Sequence, residues 1–218
     1  MVSDIKKLKQ VNGLFMSINT AKYQDFEKQG YKKIFGNSKE ELYVDHQKYI
    51  LSVKSSLPDH IEAFEVENKI IKTMIKESQK VISLNCGNGI LEMNLPQEVV
   101  AIDNKKENIE DATYNAKALG KDNIRFVYGD SLKKMVPFAK KKDYDTVIIR
   151  GINRISDELK DTLRLGKVKT VIYVNSSTSM LAKDLQELSK YYKVIEIKAV
   201  DSHIYQSYVT SIVKLIKK

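Results

Sequence analysis

Tryptophan is absent from the 218 residues, cysteine occurs once, as Cys86, and there are only three prolines and nine glycines. One thiol closes no internal disulfide and builds neither a zinc cage nor an iron–sulfur cluster, so stapled scaffolds and Cys-based metal centres are excluded. A reducing intracellular compartment is the expectation. Its three histidines, His46, His60 and His203, lack metal-ligand spacing and are expected in loop or surface roles. No apolar run approaches the roughly 20 residues needed to cross a bilayer; the longest include Val99–Ile102 and Val147–Ile149. The N-terminus has no signal-type apolar core, and Asp4 together with the lack of arginine there argues against an organelle presequence, so the cytoplasm is favoured. Repeats and Pro/Gly/Ser linkers are missing too.

What is present suits a folded chain. Hydrophobic residues make up 42%, enough for a sizeable core, and the length allows one full domain with a modest appendage. Lys+Arg 37 against Asp+Glu 28 leaves a net charge of +9. Such a surplus fits a polyanionic partner such as RNA, although a lysine-rich composition produces the same excess with no ligand behind it. Lys140–Lys142 and the terminal Lys217-Lys218 read as solvated charge runs. Tyr191-Tyr192 read as packing residues.

The best boundary is Ser55–Pro58, which divides a small, mostly β segment, 1–58, from a larger domain, 59–218. In the first, Gly13–Asn19, Tyr31–Phe35, Leu42–Val44 and Tyr49–Val53 read as strand-like pieces. In the second, a helix carrying Ile61, Phe64, Ile71, Met74 and Ile75 leads to a β-branched run, Val81–Leu84, and the turn Cys86-Gly87-Asn88-Gly89. Strands at 99–102, 124–128, 145–149 and 170–174 then alternate with helices at 109–119, 157–165 and 179–189, and strands 193–200 and 208–215 close the chain. Alternation predicts an α/β fold with a parallel sheet, helices on both faces and ligands at the carboxyl ends of the strands. Only Asp201–Ser207 separates the last two strands, too little for a parallel crossover, so they are expected to form an antiparallel hairpin.

Three successive strand ends carry candidate ligand residues. Gly87 and Gly89 allow backbone to approach a ligand beside a helix N-terminus; Asp103 is placed to accept both hydroxyls of a ribose; Asp130, after Gly129, is placed beside an adenine. Each Asp taken alone reads equally as a loop acid or a helix cap. Together the three suit an adenosine ligand. The arrangement resembles a Rossmann-like class I S-adenosylmethionine-dependent methyltransferase, whose sheet also ends in an antiparallel hairpin. A nicotinamide-binding domain is the rival, but the third glycine it wants is Glu92.

Longer segments narrow the resemblance. Val81-Ile82-Ser83-Leu84-Asn85-Cys86-Gly87-Asn88-Gly89, Ile109-Glu110-Asp111-Ala112 with Asn115-Ala116, and Asn123–Asp130 are similar to the RNA uracil-5-methyltransferase family. So are Ile172–Leu185, which matches that family's nucleophile segment without gaps, and Val200-Asp201 through Val209–Ile212. Residues 1–58 resemble the end of the family's central domain, whereas its RNA-binding barrel and cysteine-rich segment have no counterpart in these residues. The resemblance implies S-adenosylmethionine as cofactor and RNA, of the tRNA or rRNA kind, or a ribonucleoprotein as partner, with a protein partner also in view.

The departures fall on the chemistry. At the positions of the family's cysteine nucleophile and basic glutamate this chain has Ser176 and Thr210, and Tyr208 replaces the neighbouring histidine. Arg150-Gly151-Ile152-Asn153 stands in place of Asp-Pro-Pro-Arg, the wall of the base pocket, and Ser83 in place of an acid near the cofactor's methionine part. Cys86 lies in the Gly-rich turn and reads as a small packing residue rather than a substitute nucleophile. The expectation is a methyltransferase-fold, RNA-binding pseudoenzyme that holds S-adenosylmethionine weakly and lacks uracil-5 chemistry. The alternative is an active RNA methyltransferase acting on another atom.

Overall fold

A computed structural model describes residues 2–17, 30–140, 144–202 and 209–218. They form two compact units, Met1–Ser55 and Ser56–Lys218.

The first unit holds the short helix α1 (Val2–Ile5) and strands β1 (Gly13–Met16), β2 (Lys32–Gly36), β3 (Lys39–Val44) and β4 (Gln47–Ser52), paired antiparallel as β1–β2 and β3–β4. Strand β3 is longer than its apolar residues predict because the hairpin extends it. Asp45 (φ 48°) and His46 (φ 64°) make the two-residue turn, the left-handed conformation that suits the right-handed twist of a hairpin. His46 is thus a turn residue.

The second unit runs α2 (Ile61–Met74), β5 (Lys80–Leu84), α3 (Ile90–Met93), β6 (Glu98–Asp103), α4 (Lys106–Ala118), β7 (Ile124–Tyr128), α5 (Ser131–Ala139), β8 (Thr146–Ile149), α6 (Asp157–Leu165), β9 (Thr170–Asn175), α7 (Thr178–Leu188), β10 (Tyr192–Val200) and β11 (Thr210–Lys217). Seven strands form one sheet in the order β10-β11-β9-β8-β5-β6-β7. It is parallel except at β11, which runs antiparallel to both β9 and β10. This is the expected α/β fold with its closing hairpin. Strands β5, β8 and β9 are buried along nearly their whole length because helices cover both faces, so alternate residues enter opposite cores. One core packs Met135, Leu159, Leu163, Leu181 and Leu188 against the sheet; the other packs Ala63, Ile71, Met74 and Leu91.

Helix α5 has no counterpart among the elements expected from the sequence, in which Pro137 falls between periodic segments. Asp130 caps it by accepting from the Lys133 amide at 2.8 Å, and Met135 and Ala139 bury its apolar face although Pro137 inside the helix removes a backbone donor.

Two other expectations need correction. Lys217 is not merely solvated: its Nζ donates to the carbonyls of Leu163, Arg164 and Gly166 at the end of α6, and Lys218 Nζ donates to Ser189 O. Tyr192 is fully buried, but Tyr191 is exposed, with the Arg164 guanidinium over its ring at 5.7 Å. Lys141, Lys142, His203 and Tyr208 lie outside the described residues.

Candidate functional site

The order of the sheet reverses direction at β5, whose neighbours are β6 on one side and β8 on the other. Crossovers diverge there, which leaves a crevice at the carboxyl ends of the two strands, the usual ligand position in such sheets. Asn85, at the end of β5 with φ 54°, spans it: Nδ2 donates to Arg150 O at 2.9 Å, and Oδ1 accepts from Ser131 Oγ at 2.7 Å.

The Gly-rich turn follows. A Cβ at Gly89 (φ 72°) would lie 2.5 Å from the Phe126 ring, so glycine there serves packing as much as conformation. Gly87 (φ 60°) has open space where a Cβ would be, so this is the face a ligand can approach. Asp103 is buried beside it. One carboxylate oxygen accepts from Gly87 N at 2.8 Å, and the other from Lys105 N at 2.8 Å and Asn108 Nδ2 at 3.1 Å. Of about four lone-pair positions on a carboxylate, these contacts use three. Asn88 and Asn108 both bond to Ser56, which ties the turn and α4 to the segment leading into α2. Asp130, exposed, combines its place at the end of β7 with the capping of α5.

Ser83 is fully buried and donates to Glu92 Oε1 at 2.6 Å. The same oxygen accepts from Arg150 Nη2 at 2.9 Å, and that nitrogen also reaches Cys86 O at 3.3 Å. A buried carboxylate, a hydroxyl and a guanidinium thus join β5, α3 and the end of β8. Glu92 Oε2 and Arg150 Nε are buried without a hydrogen-bond partner among the described residues. In the sequence Glu92 registers only as the absence of a third glycine. The available signal was an acid inside the apolar run Ile90-Leu91-Glu92-Met93, which needs a cationic partner when buried. Cys86 is buried, and desolvation first, then the carboxylates of Glu92 and Asp103, hold its thiol well above its ordinary pKa. Such a thiol is a poor nucleophile.

On the other side of the crevice lies a cavity of about 650 Å³. Arg150–Asn153 after β8, Asn175 at the end of β9 with Ser176–Thr178 after it, and Thr210 at the start of β11 line it, with His60 and Glu67 of the α2 region. Ser176 Oγ and Thr210 Oγ1 face each other at 3.4 Å, although 34 positions separate them in the chain. Asn175 organises the walls: its Nδ2 donates to Ile152 O at 3.2 Å and Asn153 O at 3.1 Å, and its Oδ1 accepts from Ser177 N at 2.7 Å. Behind it, Tyr173 Oη lies 2.7 Å from Asn175 Nδ2 and donates to the buried Asp184 at 2.8 Å. His60 caps α2, Nδ1 accepting from Ala63 N at 3.4 Å. Gly87, Gly89, Asp103 and Asp130 do not line this cavity, so the expected site residues fall into two groups on either side of Arg150.

No group of three or more His, Cys, Asp or Glu side chains able to hold a metal occurs among the described residues, and no helix among them is long and apolar enough to cross a membrane. The class is an α/β protein with a two-part crevice at the reversal of a seven-stranded sheet. Residues 75–215 match the methyltransferase domain family, and the chain belongs to it. Among relatives, a protein of Bacillus cereus named an uncharacterized RNA methyltransferase is 32% identical over 146 residues, covering 65% of this chain and 32% of its own. Another of that name from Streptococcus pneumoniae is 27% identical over 222 residues, covering 98% of this chain and 49% of its own. The chain therefore spans between about a third and a half of the length of these relatives. Among solved structures, the Pyrococcus abyssi tRNA (uracil-54, C5)-methyltransferase in complex with S-adenosyl-L-homocysteine superposes with a TM-score of 0.77 at 20% identity, over 94% of this chain and 51% of that one. Trm5b from Pyrococcus abyssi gives 0.68 at 15% identity, over 99% and 67%.

Proposed function

We propose that this chain is an RNA- or ribonucleoprotein-binding protein of methyltransferase fold that holds S-adenosylmethionine weakly and does not methylate uracil at C5. The observation that carries this reading is the Ser176–Thr210 pair, two hydroxyls 3.4 Å apart in the cavity. Uracil C5 becomes nucleophilic only after a thiolate adds to C6, and a base must later take the C5 proton. A serine hydroxyl is hardly ionised near neutrality, and a threonine takes up no proton. The two side chains can hydrogen-bond a target without reacting with it.

The adenosine half of the cofactor fits the residues present: open space over Gly87, the one acceptor position left on Asp103 for a ribose hydroxyl, and Asp130 for the adenine edge. When bound, the cofactor supplies an electrophilic methyl group. At its methionine end Ser83 offers a hydroxyl already committed to Glu92, in place of an acid. Losing one charge-assisted hydrogen bond costs about 1.5–3 kcal/mol, or roughly one to two decades of affinity. Calorimetry with S-adenosylhomocysteine is therefore expected to give micromolar or weaker binding. The charge of +9 fits phosphate contacts, so affinity for structured RNA is expected to fall steeply with salt.

A second reading, an enzyme acting on a ring nitrogen or hydroxyl, is favoured by the retention of Asp103 and Asp130, because attack by an already nucleophilic atom needs no covalent adduct. Incubation with labelled S-adenosylmethionine and total RNA, followed by nucleoside mapping, separates the readings. Label in 5-methyluridine overturns both, label in another nucleoside selects the second, and absence of label with retained RNA binding supports the first.

A further inference from the structure

Strand β10 stands at the edge of the sheet, and β11 is its one strand partner among the described residues. A nine-residue edge presents a row of unpaired backbone N–H and C=O groups, and natural edges are blunted by proline, inward charges or short length. Lys193, Glu196 and Lys198 put charge on this edge and a bulge bends it, yet a large apolar surface remains uncovered along it. Val194, Ile195 and Ile197 are exposed, Ile197 at 55%, and the strand contains no proline. A bulge does interrupt it, with Ile195 as the extra residue between Val194 and Glu196, but Glu196–Val200 pairs with β11 in regular register.

Self-pairing of that regular run has few solutions. An antiparallel pair related by a two-fold axis normal to the sheet sets one residue opposite its own copy, and opposed side chains share a face. Centred on Glu196, the pairing opposes two carboxylates; centred on Lys198, two ammonium groups. Centred on Ile195 it sets Glu196 and Lys198 opposite Val194 and Tyr192, and centred on Ala199 opposite Ser202 and Val200, so neither charge gains an opposite partner. Centred on Ile197, it opposes each Glu196 to the other copy's Lys198 and sets the two exposed isoleucines against each other. Glu196 and Lys198 already lie 3.4 Å apart on one face of the strand, so the four charges alternate in sign around the axis.

We propose that β10 is a homodimerisation edge, two copies joining antiparallel with Ile197 on the axis and Glu196 opposite Lys198 of the second copy. The proposal is independent of the methyltransferase reading. The net charge of +9 opposes association at long range, but at physiological ionic strength charges are screened beyond about 8 Å, so the short-range pairs decide.

Sedimentation of the full chain in physiological salt tests this. Wild type is expected to show a monomer–dimer equilibrium. Lys198→Glu, which opposes like charges twice, is expected to raise the dissociation constant roughly tenfold or more, and the reversal Glu196→Lys with Lys198→Glu to bring it back. Circular dichroism of each variant checks that the fold is kept, which these exposed positions favour. A wild type that is monomeric at every concentration overturns the proposal. So does a dimer indifferent to Lys198→Glu, or a double reversal that fails to restore it.

Discussion

On the β5–β6 side of the crevice the polar side chains hydrogen-bond one another, whereas on the β8–β9–β11 side they line an open cavity. Asp103 has three donors, and Ser83, Glu92 and Arg150 close on each other. Ser176 and Thr210, by contrast, meet across 3.4 Å at the cavity wall, and the structural duties there pass to Asn175, Tyr173 and Asp184 behind them. The difference separates two kinds of residue that one strand-end position can host. A group that satisfies its neighbours is costly to replace whatever the ligand, while a group that faces space is free to change with the chemistry.

Substitutions that break this contrast rank accordingly. Glu92→Ala leaves the Arg150 guanidinium partly buried without its carboxylate and is expected to cost about 3 kcal/mol or more in urea unfolding. Replacing both partners, Glu92→Leu with Arg150→Met, is expected to cost less than the single change, and simple additivity would sink the idea of a coupled pair. Next comes Asp103→Ala, at about 1.5–3 kcal/mol of stability, because it orphans the Gly87 and Lys105 amides. The same variant should give no heat with S-adenosylhomocysteine, and undiminished binding would refute the assigned pocket.

Alkali probes the buried support of the open side. Desolvation raises the phenols of Tyr173 and Tyr192 above their ordinary value near 10, so above that pH the unfolded chain releases protons that the native state retains. Stability should hold below about pH 10 and decline as pH rises beyond it, and Tyr173→Phe should shallow the decline in a pH series of melts. The smallest effect is expected from Ser176→Ala, under about 1 kcal/mol. A larger loss would mean that the cavity wall is as structural as the Gly-rich side.

Much of this was legible without coordinates. Alternating apolar runs and helical spacing placed six of the seven sheet strands close to their final limits, and the short 201–207 connection implied the antiparallel close. Helix α5 was not legible because Pro137 masks an apolar face whose worth depends on what covers it. The site divided likewise. Gly87, Gly89, Asp103 and Asp130 stand out by their place after strands, whereas Glu92 and Arg150 become significant only when they meet, 58 positions apart.

By itself, then, the sequence determined the period of each element, the place of the glycine turn after β5, and the residue types at each strand end. These depend on neighbours within a few residues, where sterics and periodicity act. Only the tertiary structure decided that Ser83 turns inward to Glu92, that Arg150 spans the crevice, that Lys217 closes α6, and that Ser176 and Thr210 face each other. Burial and hydrogen-bond satisfaction are properties of the packed whole, because the partner that makes a buried charge tolerable is supplied by a strand distant in the chain.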